Sequence, residues 1–80
     1  MIVNRRALNL VPGKLYKVID GIGCTEPNYD VIPTSTIVML IEIKPIQQYA
    51  NCKRLVFLVG KQTMSANFGD SQFPDYLAEL

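Results

Sequence analysis

Residues Thr36 to Ile43 read Thr-Ile-Val-Met-Leu-Ile-Glu-Ile, apolar except at Thr36 and Glu42, with Pro33 and Pro45 bracketing the run. An almost wholly apolar segment fits any period, so the pattern alone does not separate strand from helix. Three features decide for a strand. Four of its eight residues are Ile or Val, whose branched Cβ suits a pleated surface. Pro45 cuts the run short of ordinary helix length, and Ser35 lacks the Glu or Gln three residues on that would complete a helix capping box. Both faces of such a strand are apolar, so both demand cover, from a closed barrel, an overlying loop or a second copy of the chain.

The segments around it alternate, and alternation predicts half-buried strands. Leu55, Phe57 and Val59 share one face, with Arg54, Val56 and Leu58 on the other. Gly60-Lys61 is then a two-residue hairpin turn with Gly at its first central position. On the return strand Gln62, Met64, Ala66 and Phe68 fall on one face, placing Met64, Ala66 and Phe68 inward and Thr63, Ser65 and Asn67 toward water. Upstream, Val11-Pro12-Gly13 forces a turn, since Pro fixes φ and Gly tolerates positive φ. Beyond it Leu15 to Ile19 reads as a strand with Tyr16 and Val18 on one face.

Two polar loops interrupt this pattern. Residues 20–35, with Gly21, Gly23, Pro27, Asn28 and Asp30, predict a long excursion that Val31 and Ile32 pin to the core. Residues 45–52, centred on Gln47-Gln48-Tyr49-Ala50-Asn51, predict a second loop, with Lys53 opening the next strand. The end of the chain, Phe73 to Leu80, reads as a short helical turn with Pro74 at an early helical position. Tyr76, Leu77 and Leu80 are expected to close one end of the core. With no repeat or linker, residues 1–80 form one domain.

Composition narrows the function more than it names it. Eighty residues with 49% hydrophobic content suit one small globular domain, in which only about 60% of the extended surface becomes buried. Histidine is absent, which removes the side chain most used for acid-base work and nucleophile activation and lowers the expectation of an enzyme. Net charge is +1 and neither sign gathers into a block, so no strong field draws nucleic acid or an acidic membrane. Met1 to Leu10 has no apolar signal core after Arg5-Arg6, so a cytoplasmic location and reduced thiols are expected. Cys24 and Cys52 are then two free thiols, the alternative being one disulfide. No apolar run approaches the roughly 18 residues of a membrane span.

No motif completes a catalytic, cofactor or metal site. Gly21-Ile22-Gly23 begins like a phosphate-binding loop, but Glu26 stands where the third glycine belongs, and a plain turn is expected. The two cysteines lack neighbouring ligands for zinc, and the loop carboxylates lack the alternating oxygen pattern of a calcium loop. Tyr29 and Tyr49 sit in the two polar loops, where an exposed aromatic serves recognition, although each ring could instead fold back over the core edge. Arg54 stands beside the second loop. Arg5-Arg6 and Lys53-Arg54 are the adjacent basic pairs that a nucleic acid would use.

Taken in order, the strands at Leu15-Tyr16-Lys17-Val18-Ile19, Ile37, Leu55 and Gln62, the Pro12-Gly13 turn before them and the long first loop resemble a Src-homology-3-like small barrel. The layout over residues 10–80 is also similar to short uncharacterised proteins of tailed bacteriophages, with their Pro-Gly-Lys-Leu-Tyr-like opening, Val-Met-Leu-like strand and an aromatic end like Pro74-Asp75-Tyr76-Leu77. The resemblance implies an all-β fold, a small five-stranded antiparallel barrel with a short C-terminal helical turn. Peptide-binding members carry an Ala-Leu-Tyr-Asp-Tyr-like strand and a groove tryptophan; this chain has no tryptophan, so proline-rich peptide binding is not implied. The expected function is a non-enzymatic module that binds another protein through Tyr29, Tyr49 and Arg54, without a cofactor, as a small viral accessory or inhibitor. The rivals are a nucleic-acid-binding barrel using Arg5, Arg6, Lys53 and Arg54, and a self-associating assembly subunit.

Overall fold

The computed structural model describes residues 9–25 and 30–80. Its first element follows a tight turn in which Pro12 occupies the first central position and Gly13 the second, at φ +93°, closed by the Lys14 N–H donating to the Val11 carbonyl at 3.1 Å. That is the geometry in which Pro and Gly each fit best. Strand β1 (Leu15–Val18) then buries Tyr16 and Val18 completely and leaves Leu15 and Lys17 outside. The Tyr16 hydroxyl, buried with its ring, accepts from the Val11 N–H at 2.8 Å and donates to the Asn9 carbonyl at 3.1 Å. One phenol thereby ties the entering chain to the core.

The long excursion contains its own short ribbon, β2 (Ile22–Gly23) paired with β3 (Val31–Ile32). Ile22 and Ile32 are buried, whereas Val31 is 61% exposed, so Ile32 rather than both expected residues pins this segment. The Gly21-Ile22-Gly23 stretch, expected as a turn, enters this ribbon instead. A second turn follows, from Pro33 to Thr36, with Ser35 at φ 76° in the position that glycine usually takes.

Strand β4 (Ile37–Ile46) is the centre of a five-stranded antiparallel sheet with β5 (Tyr49–Val59), β6 (Gln62–Gly69) and, after helix α1 (Phe73–Tyr76), β7 (Leu77–Glu79). The order is β6-β5-β4-β1-β7. The strand also runs straight through Pro45, which was expected to end it. The register explains why: Met39 pairs with Leu58, Leu40 with Phe57 and Glu42 with Val56, so Ile41 is an inserted bulge residue. Beyond the bulge Pro45 lies opposite Lys53 at a position whose amide points away from β5. β1 pairs only with Ile37 to Met39, so that side is an open edge, where a missing N–H costs nothing.

The same bulge resolves the two-faced character of the apolar run. Before it Val38 and Leu40 point inward and are buried; after it the inward parity switches and Ile43 meets Leu55, packing against the core. Part of the second apolar face is thus brought inside. Ile37 and Ile41 remain 45% and 41% exposed. The polar loop expected over residues 45–52 shrinks to Gln47-Gln48, because β4 and β5 continue to Ile46 and from Tyr49.

The Gly60-Lys61 hairpin is as expected, with Gly60 at φ 62° and Lys61 at ordinary φ. Met64, Ala66 and Phe68 face inward as read, but Ser65 is also buried, at 5% exposure, not turned to water. Pro74 sits in the first turn of α1. Leu77 closes the core at 2% exposure, whereas Leu80 is 68% exposed and takes no part. The fifth strand of the sheet is therefore β7, supplied by the segment read only as a helical turn. The sheet has two edges, β6 and β7, and the link from β6 to the ribbon is the Thr25 N–H donating to the Ser65 carbonyl at 2.8 Å, with Thr25 Oγ1 on the same oxygen at 3.3 Å.

Candidate functional site

At one end of the sheet the β4–β5 hairpin, the β6–α1 turn and the ribbon β2–β3 surround a depression floored by aromatic rings. Phe68 stands at its centre, in edge-on contact with Phe57 at 6.4 Å, Phe73 at 6.1 Å and Tyr76 at 5.4 Å between ring centroids. Such pairs add roughly 0.5–1.5 kcal/mol each beyond the area they bury, so the floor is rigid. The β6–α1 turn is fixed by its own side chain: the Gln72 Oε1 accepts from the Gly69 N–H at 2.7 Å, and the Gln72 N–H donates to the Gly69 carbonyl at 2.9 Å. Next to it Lys53 Nζ pairs with Asp70 at 3.3 Å and donates to the Ala50 carbonyl at 3.3 Å, clamping the irregular start of β5.

Two adjoining cavities occupy the depression and share Asn67, Phe68 and Gln72. The larger, about 430 Å³, reaches toward Gln48, Tyr49 and Arg54 on the hairpin. The smaller, about 200 Å³, reaches toward Gly21, Gly23 and Tyr76. Neither is lined by a carboxylate. What they present is amide donors and acceptors, ring faces and edges, one thiol at Cys52 and one guanidinium, which is the chemistry of hydrogen bonding and stacking.

Two of the three residues expected to bind a partner therefore line one cavity. Tyr49 is 62% exposed on the first residue of β5. Arg54 lies opposite Asn67 across the β5–β6 register, and its Nε donates to Asn67 Oδ1 at 3.0 Å, so the guanidinium is held in place. Tyr29 lies outside the described residues, as do Arg5 and Arg6. Strand alternation sends Lys53 and Arg54 to opposite faces, so the adjacent basic pair does not make one patch. Asn67, Gln72 and the two glycines of the ribbon escaped the sequence reading. Only the alternation of Gly21 and Gly23 around a buried Ile22 hinted at an exposed backbone there.

Both cysteines are free. Cys24 is buried, and burial followed by the negative charge of Asp30 pushes its thiol above the ordinary value of 9.0, with a backbone hydrogen bond from Ile32 opposing the shift. Among the described residues no group of three or more His, Cys, Asp or Glu side chains is placed to hold a metal. No described helix is long and apolar enough to cross a membrane.

No protein-family model matches this chain, and no curated protein or solved structure matches it.

Proposed function

We propose that this chain is a protein-interaction module built on a Src-homology-3-like small barrel, and that the depression between the ribbon β2–β3 and the β4–β5 hairpin is its recognition site. The observation that carries the reading is the convergence of Tyr49 and Arg54 on one rigid-floored cavity at the tip of the sheet. An exposed aromatic beside a positioned guanidinium is the residue pair most enriched where interfaces concentrate their energy. The barrel assignment is supported by the strand order β6-β5-β4-β1-β7, the ribbon-bearing excursion between β1 and β4, and the short helix before the last strand. The direct test is capture from a natural extract with the wild-type chain and with Tyr49→Ala, with and without nuclease. A protein retained by the wild type and lost by the variant supports the module. Recovery that vanishes on nuclease treatment, or recovery of the chain's own copies alone, overturns it.

A second reading, self-association, is favoured by one observation. The outer face carries Leu15, Met39 and Leu58 in one cross-strand row, with Ile37 and Ile41 flanking it, an apolar stripe across three strands. Light scattering that gives one protomer's mass at high concentration refutes it.

A further inference from the structure

The seam between β2 and β6 is closed at one end and open at the other, and its parity is set by the hydrogen bonds of its neighbours. In β2–β3 the Cys24 N–H donates to the Asp30 carbonyl at 2.8 Å, so Ile22 and Cys24 direct their main-chain groups to β3. Gly21, Gly23 and Thr25 then direct theirs away from β3, toward β6. On β6 the Ser65 carbonyl meets Thr25, so Thr63, Ser65 and Asn67 turn their main-chain groups away from β5. The two strands run antiparallel, Thr25 against Ser65 and Gly23 near Asn67. At Thr25 they are bonded; at Gly23 and Asn67 they have splayed, and the 200 Å³ cavity lies between them. The ribbon β2–β3 and the sheet that holds β6 are separate sheets, so no strand ladder pairs Gly23 with Asn67.

We propose that an extended peptide segment of a partner protein adds to this seam as a strand, bonding the outward main-chain groups of Asn67 and Gly23. The inference rests on the module reading and specifies its partner. Three features favour an extended main chain over a compact ligand. The cavity is below the roughly 300 Å³ of an ordinary small-molecule pocket. Both of its walls offer backbone groups at strand parity, so each side can pair as in a sheet. A Cβ built on Gly23 would meet nothing within 4 Å, so the face of the ribbon above it is uncovered and leaves room for the side chains of an added segment. Alternate side chains of the added segment would meet Phe68 and Tyr76 at the floor and the amide of Gln72 at the wall. The partner segment is therefore extended, free of proline at the paired position, and carries a hydrogen-bonding side chain at the residue that enters the cavity, whose exposed lining is mostly polar.

The probe is a displayed library of random 12-residue peptides selected on the full chain, followed by amide exchange on the isotope-labelled protein with the selected peptide. The expected result is slowed exchange at Asn67 and Gly23. Asn67→Pro removes the outward amide without touching a β5–β6 bond, whereas Asn67→Ala removes only the side chain, so the proline variant should bind about tenfold more weakly than the alanine variant. Peptides that bind while both amides exchange freely, or that bind the two variants equally, overturn strand addition and leave the interaction module standing. A library that yields no binder overturns strand addition, and with no partner captured by the wild-type chain it overturns the module as well.

Discussion

Ser65→Ala should make this protein more stable. Ser65 is 5% exposed in the middle of β6, opposite Val56, and its hydroxyl oxygen has no hydrogen-bond partner among the described residues. A buried hydroxyl left unpaired carries a desolvation cost of about 1–3 kcal/mol. Removing the oxygen forfeits a handful of dispersion contacts worth about 0.1–0.2 kcal/mol apiece. The backbone bond from Thr25 to the Ser65 carbonyl is untouched. The net expectation is a gain of about 1 kcal/mol, which for a domain of this size is a rise in Tm of roughly 4–8 °C. In urea the same gain appears as a midpoint shift of about 0.5–1 M with the slope unchanged. Ser65→Thr is the counterpart, since an added methyl in a filled site costs about 1–3 kcal/mol. If the alanine variant is instead destabilised by 1 kcal/mol or more, the hydroxyl is satisfied in solution and the reasoning fails.

Tyr16→Phe keeps the buried ring but strips the Val11 N–H of its acceptor and the Asn9 carbonyl of its donor; a loss of about 1–3 kcal/mol in urea unfolding is expected. Ser35→Gly relieves a non-glycine residue at φ 76°, and after the added freedom of the unfolded chain a gain of about 0.5–1 kcal/mol should remain in thermal melts. Because Cys24 has its thiol raised above 9.0 in the folded chain, its contribution is intact below that value and is lost as pH climbs toward the folded value. The wild type should therefore lose more stability than Cys24→Ala between about pH 8 and pH 10, and a parallel decline in the two would count against it. Tyr49→Ala, at a residue 62% exposed, should leave the unfolding free energy within about 0.5 kcal/mol of the wild type while abolishing partner capture.

Where local rules sufficed, the residues could be read directly. The Pro12-Gly13 turn, the Gly60-Lys61 hairpin and the inward Met64, Ala66 and Phe68 follow from φ preference and period-two alternation, which depend on nearest neighbours alone. The failures share one cause. Pro45 continues a strand because β1 is too short to cover that edge, Ile43 turns inward because of the Ile41 bulge, and Ser65 is buried although its parity pointed to water. Each depends on what a distant segment places beside the residue.

The site divides along the same line. Tyr49 and Arg54 were legible as an exposed aromatic and a cation near a polar loop, because residue type and local polarity carry that information. Their convergence on one cavity, and the pairing of Arg54 with Asn67, required the β5–β6 register. The outward-facing backbone at Gly23 and Asn67 was invisible, since every strand residue carries the same amide and carbonyl and only pairing decides which of them are used. Sequence alone determined strands β1, β4, β5 and β6, the tight turns and most of the core. Tertiary structure decided the edges, the bulge and the splayed seam, because these are set by which strands meet and where one runs out.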